Sequence, residues 1–189
     1  HLLTHTSGLG YAFSNHTLAA LVGAEPGASA ARFPLLHDPG ARWTYGESTR
    51  VLGTLVAEVS GQPLEEFLSE RIFVPLGMSD TFYTVPDAKR SRVVTVHRLT
   101  DDGLVEAPNP DGPITAPPYG DGGLHSTAAD YVKFMQMLLN DGRAPDGTQI
   151  LSAESVDLIG RNHTGSVRVE LQPAAIPALT RPVPPGAGR

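Results

Sequence analysis

Breakers of regular structure constrain this chain more than any other feature. Its 189 residues include 17 prolines and 20 glycines, against a usual roughly 5% and 7%. Proline lacks an amide donor and fixes φ, and glycine is the residue of turns, so the chain is cut into short elements joined by many loops. Prolines 108, 110, 113, 117 and 118 exclude regular structure there and predict a rigid, extended surface loop. Five more prolines between Pro173 and Arg189, with almost no hydrophobic periodicity, predict another loop.

Between the breakers the apolar spacing is helical. Ser14 or Asn15 can cap a short helix with Leu18, Leu21 and Val22 on one side, ended by Gly23 and Pro26. Ser48 or Thr49 can cap a second, with Val51, Leu52, Leu55, Val56 and Val59 as its face and Gly61 as its close. Pro63 suits the first position of a third, carrying Leu64, Phe67, Leu68 and Ile72. Thr127 with Asp130 reads as a capping box for a fourth, whose face is Tyr131, Val132, Met135, Leu138 and Leu139, and Ser152 caps a last short helix. The β-branched run from Ser91 to Leu99, the turn Asp101-Asp102-Gly103 and Leu104-Val105-Glu106 predict a β-hairpin. The opening His1 to Gly10 reads as a helix end running into a loop, with Gly8 or Gly10 at positive φ.

Composition narrows the function classes. Hydrophobic residues are 40% and charged residues 18%, enough apolar matter for one domain's core. The formal charge of −6 and singly scattered cations argue against a nucleic-acid partner. No apolar run approaches the roughly 18 residues that a membrane-spanning helix needs. With no cysteine there is no disulfide, thiolate nucleophile or thiolate metal site. The first residue is His1 rather than Met, so the natural start is expected to lie upstream, and localisation stays open.

Nucleophilic catalysis needs a serine with a base beside it, and neither serine motif is intact. G-x-S-x-G is absent, and S-x-x-K fails because Pro86 and Asp130 stand three positions before the only lysines, Lys89 and Lys133. His1 and His5 have the i, i+4 spacing of a helical zinc pair, but Leu2 stands where a zincin has Glu, so they read as capping and packing residues and no metal is expected. His163-Thr164-Gly165 reads as a helix C-cap. Tyr45, in a loop just before a helix and two residues after the single tryptophan, Trp43, is the most suggestive side chain.

Four ordered blocks then form a pattern: HLLTHTSGLG at 1–10, WTYGESTRVLGTLVAEVSG at 43–61, IFVPLGMSDT at 72–81 and DGGLHSTAAD at 121–130. Together they resemble the penicillin-recognising serine hydrolases: class C β-lactamases, D-alanyl carboxypeptidases and related carboxylesterases. The resemblance implies an α+β, β-lactamase/transpeptidase-like fold, with an antiparallel sheet flanked by helices and a mostly helical subdomain. It implies an S-x-x-K helix upstream of His1 and a K-T-G, H-x-G or Trp-Gly strand downstream. The chain is therefore expected to be the middle of one such domain, truncated at both ends, matched over 1–165 and ending in a loop over 166–189.

By the same resemblance Tyr45 is the catalytic general base, and Glu47 and Ser48 are substrate-binding residues. Glu47 replaces the amide of the family's Y-x-N, which shifts the expectation from lactams toward small esters, because an ionised carboxylate only accepts hydrogen bonds. The parent protein is expected to cleave small esters through an acyl-serine, with Ser and Lys missing from this chain and no cofactor. A β-lactamase, a D-Ala-D-Ala carboxypeptidase and a non-catalytic binding module are the alternatives. Ser7, Gly122, Gly123, Ser126 and Thr127 are expected to build turns and caps.

Overall fold

A computed structural model describes residues 1–25, 32–107, 114, 117–177, 181, 182 and 184. These form two compact units. One comprises His1–Leu64, Tyr119–Gly122 and Asp157–Arg189, the other Glu65–Pro118 and Gly123–Val156. Most of the proline-rich stretch expected to be a rigid loop lies outside the described residues, as does much of the stretch after residue 177. No helix among the described residues is long and apolar enough to cross a membrane.

The first unit opens with the geometry by which helices close. Thr6 N–H donates to His1 O at 3.0 Å, His5 N–H to Leu2 O at 3.4 Å, and His5 sits at φ +54°, the nested pattern of a left-handed helix terminus. Gly8 supplies the second positive φ, as expected. Helix α1, His16–Ala24, starts where Asn15 Oδ1 accepts from Leu18 N at 3.0 Å, and Leu18 is 2% exposed. Helix α2, Ser48–Ser60, ends at Gly61 in the left-handed conformation. Its cap position is Glu47, not Ser48 or Thr49, and Ser48 is its first helical residue.

The buried side of α2 also differs from the apolar spacing. Ser48 and Gly53 are the buried residues, whereas Leu55 and Val59 are 48% and 80% exposed. The cause is a backbone contact. A Cβ on Gly120 would lie 2.1 Å from Thr49 O, and one on Gly53 would lie 2.7 Å from Gly120 Cα, so only glycines allow the segment at 119–122 to lie against this helix.

The second unit carries most of α3, Leu64–Leu68, which begins directly after Pro63 and passes into a single wide π turn, Ser69–Phe73, where a continuous helix was expected. Its core is Phe73, Leu76, Met78, Met137 and Ala144, with Phe134 and Leu138 packed against it. The hairpin forms from β1, Val96–Thr100, and β2, Gly103–Ala107, in register from Val96 opposite Ala107 to Thr100 opposite Gly103. β1 starts at Val96 rather than Ser91 because Asp87–Arg92 forms a 3₁₀ turn after Pro86.

Helix α4, Ala128–Leu139, is capped by Thr127, whose hydroxyl accepts from Asp130 N at 3.2 Å. Its buried residues are Asp130 and Met137. Of the expected face, Leu138 packs against the core of this unit, while Tyr131, Val132, Met135 and Leu139 are exposed within this chain, Leu139 to 85%. The packed row is 130, 134, 137 and 138, and a buried aspartate at its head hides it from a search for apolar residues. Helix α5, Ala153–Gly160, is capped by Ser152, whose Oγ accepts from Ser155 N at 3.1 Å.

Candidate active site

Tyr45 is set by three local constraints, all within the first unit. Thr44 N–H donates to His5 O at 2.9 Å, and Thr44 Oγ1 pairs with His37 Nε2 at 2.9 Å. Gly46 follows: a Cβ there would stand 2.1 Å from Leu9 O and 2.6 Å from Gly10 Cα. Ser48 Oγ then pairs with Ser7 Oγ at 2.8 Å, Ser7 also accepting from Leu9 N at 3.2 Å. The blocks at 1–10 and 43–48, far apart in sequence, are one interlocked piece whose product is the placement of Tyr45.

The Tyr45 ring lies among aromatics, with centroids of His5 at 5.2 Å, Tyr11 at 5.3 Å and Trp43 at 6.3 Å. It is nevertheless 48% exposed, and among the described residues nothing hydrogen-bonds its hydroxyl. A phenol held by its ring with a free oxygen can accept or deliver a proton at whatever docks against it. Glu47 and Ser48 are placed differently. They are 7% and 0% exposed, Ser48 tied to Ser7 and Glu47 at the head of α2.

Behind Tyr45 lies a charged group that no local pattern announces. Tyr11 O–H donates to Asp121 Oδ2 at 2.8 Å, and Arg50 Nε–H donates to both oxygens of that carboxylate at 3.2 and 3.1 Å. The Asp121 side chain is 7% exposed. The Arg50 guanidinium also lies 4.3 Å over the Tyr119 ring. Burial and then the Asp121 carboxylate push the Tyr11 phenol well above its ordinary range, so Tyr11 is a fixed neutral donor. Burial lowers the His5 imidazole, whose Nδ1 is buried without a partner among the described residues.

His1 and His5 do not form a helical pair. His1 Nδ1 bonds Thr6 Oγ1 at 2.9 Å, while His5 sits at positive φ against Trp43 and Tyr45. Among the described residues no three His, Cys, Asp or Glu side chains gather as metal ligands would. His163 Nε2 meets Leu158 O at 2.6 Å, the helix-closing role read for it. A cleft of about 450 Å³ in this unit is lined by Leu18, Leu21, Leu36, Trp43, Thr44 and Leu171 among others.

In the second unit, the remaining block residues build structure. Ser126 Oγ pairs with Thr81 Oγ1 at 2.8 Å, and Phe82 and His125 exchange backbone hydrogen bonds at 3.0 and 2.8 Å. The Asp130 carboxylate accepts from Asp80 N at 2.7 Å, Thr81 Oγ1 at 3.0 Å and Lys133 Nζ at 2.9 Å. Burial alone would raise its pKa, but these donors outweigh that and hold it below the usual carboxylate range. Asp80 is held down to about 2 by Arg92 and then Lys89.

Comparison with known proteins agrees with the block pattern. The family model described as Beta-lactamase matches residues 1–183. Protein Rv1367c of Mycobacterium tuberculosis is 42% identical over 171 residues, covering 84% of this chain and 42% of that protein. A lovastatin esterase of Penicillium rubens is 33% identical over 180 residues, covering 87% of this chain and 44% of that protein. The solved structure of simvastatin synthase (LovD) from Aspergillus terreus, in its LovD6 mutant, superposes with a TM-score of 0.72 at 32% identity, covering 86% of this chain and 39% of that one. The chain thus spans about two fifths of the length of the curated relatives it matches.

Proposed function

Because this chain belongs to the beta-lactamase family, we propose that the whole protein is a serine hydrolase that cleaves small esters through an acyl-serine, with Tyr45 as its proton carrier. The observation that carries this reading is the half-exposed Tyr45 phenol, gripped on its ring by His5, Tyr11 and Trp43 and with its hydroxyl unpaired among the described residues. The chain has no S-x-x-K of its own. In this reading the serine and its lysine come from the remainder of the protein, and their arrival gives the Tyr45 oxygen a partner.

The chemistry follows from that pairing. A phenol with a reference pKa of about 10 is a poor base at neutral pH, and a cation within a few ångströms favours its phenolate. Tyr45 then takes the serine proton as Oγ bonds to the ester carbonyl carbon, and passes it to the alkoxide as the C–O bond breaks. In the second half water replaces the serine: Tyr45 takes a proton from water and returns it to Oγ as the acid leaves. The cleft of about 450 Å³ lined by Trp43 and Thr44, the residues just before Tyr45, is the space in this unit for an apolar acyl or alkyl group in this reading. Glu47 and Ser48, both buried, shape the floor beneath the substrate in this reading. The similarity to a lovastatin esterase favours ester over lactam.

Hydrolysis of p-nitrophenyl esters by the full-length protein tests the assignment. Tyr45→Phe is expected to lower kcat at least about 100-fold, the scale of lost acid–base catalysis. Unchanged turnover would overturn Tyr45's role, and hydrolysis of a chromogenic cephalosporin faster than of any ester would move the protein to the lactamases. Intact mass after a fluorophosphonate is expected to show one adduct on the full-length protein. A folded full-length protein with neither adduct nor turnover would identify a non-catalytic relative.

A further inference from the structure

We propose that Tyr11, pinned by the buried Asp121 carboxylate that Arg50 holds in turn, is a positioning residue that orients Tyr45 while its own hydroxyl stays committed to Asp121. The inference rests on the reading of Tyr45 as proton carrier and adds residues that no local pattern marks.

The geometry is specific. Tyr11 is fixed at its oxygen by the 2.8 Å bond to Asp121 and on its face by Phe13, stacked at 4.8 Å and 19°. Its ring then meets Tyr45 at 5.3 Å and 62°, an edge-to-face contact. Asp121 is itself immobilised, its carboxylate bound through both oxygens to Arg50, which is braced on Tyr119. The chain of contacts therefore runs from the Arg50–Asp121 ion pair through Tyr11 to the ring of the proton carrier.

Charge allocation follows from the same contacts. Two phenols 5.3 Å apart repel if both ionise. Tyr11 donates its proton into a buried carboxylate, so its ionisation would place two anions 2.8 Å apart. The other rings facing Tyr45 are Trp43, which carries no charge, and His5, which burial biases toward its neutral form. Facing Tyr11 are Phe13, Asp121 and, beyond the carboxylate, Arg50, whose cation opposes the carboxylate's effect without overcoming it. Of the two phenols, only Tyr45 is left without an anion bonded to its oxygen.

The test is a double-mutant cycle in the full-length enzyme. Tyr11→Phe keeps both ring contacts and removes only the hydroxyl; kcat for a p-nitrophenyl ester is expected to fall about tenfold with KM nearly unchanged, the effect of a misplaced catalytic group. In a Tyr45→Phe background the same change is expected to have no further effect on the residual rate, measured with a fluorogenic ester and normalised to folded enzyme by circular dichroism. Asp121→Asn, which removes the charge at nearly constant size, is expected to lower kcat in the same direction and to be equally silent in that background; it carries the test should Tyr11→Phe not fold. Equal losses with and without Tyr45, or full kcat in Tyr11→Phe, would overturn the proposal and leave Tyr45's role standing. Full kcat in Tyr45→Phe alone would instead remove the reading on which it rests.

Discussion

The two units are held together by different physics. In the first, the buried residues are largely polar: Thr6, Ser7, Ser14, Glu47 and Ser48 accompany Leu18 and Leu64. Its order comes from hydrogen bonds and from backbones that touch where glycine leaves room, as Gly46 does on Leu9 and Gly120 does on Thr49. In the second, Phe73, Leu76, Met78 and Met137 supply an apolar core, and one ionised hub, Asp130, ties the head of α4 to the turn at 80–81. Apolar packing tolerates change of shape, whereas a hydrogen-bonded backbone contact does not. The unit that carries Tyr45 is therefore the one built to fix positions rather than to maximise burial.

Gly46→Ala attacks that difference most directly. The new methyl would meet Leu9 O at 2.1 Å, and a backbone oxygen cannot turn aside as a side chain does. In the full-length protein the expected cost is about 3 kcal/mol or more, beyond ordinary overpacking, with esterase activity lost alongside. Urea denaturation and ester turnover measure both; a variant of wild-type stability and rate would show that the first unit yields as easily as an apolar core.

Met137→Ala is the matching change in the second unit. Met137 is 1% exposed at the centre of its core, and truncation is expected to cost about 2–3 kcal/mol, toward the lower end for such cavities. Enough stability should remain for kcat per folded molecule to stay near wild type, because nothing at Tyr45 has moved. A fall in kcat larger than the fall in folded fraction would break the comparison by making the apolar unit part of the catalytic geometry.

How much of this was legible in the sequence depended on range. Local chemistry was readable: Asn15 and Thr127 cap their helices, Asp101-Asp102-Gly103 turns the hairpin, and the four ordered blocks together pointed to the family and the fold. Helix faces were readable in part. Val51, Leu52, Val56 and Leu138 are half-buried as their spacing expects, but two of the buried positions, Gly53 on α2 and Asp130 on α4, carry no hydrophobic signal. The Tyr11–Asp121–Arg50 group was invisible for a different reason. Its bonds join residues 110 and 71 positions apart, and no spacing rule reaches that far. Tyr11 directly after the block at 1–10, Arg50 inside the block at 43–61 and Asp121 opening the block at 121–130 were the hints available.

The mildest test separates the units by pH. Burial lowers the His5 pKa in the first unit, so below the unfolded value of about 6.5 the unfolded chain binds a proton that the folded one resists. Stability contributed by neutral His5 is thus present above about pH 6.5 and is lost as pH falls toward the folded pKa. In the second unit the Asp130 carboxyl is held down by its donors despite burial, and Asp80 is held to about 2 by Arg92 and Lys89. Their contribution persists until pH falls below the unfolded value of about 3.9. Acidification from pH 7 to 5 should therefore loosen the surroundings of Tyr45 while leaving the apolar core untouched, and only stronger acid should reach α4. Ring-proton NMR of His5 and methyl NMR of Met137 follow the two separately. His5→Asn, which suits the left-handed backbone at this position, is expected to flatten the slope between pH 7 and 5 and to leave the transition below pH 4 in place. A slope that survives this substitution would mean that the first unit owes its acid sensitivity to groups other than the imidazole packed on Tyr45.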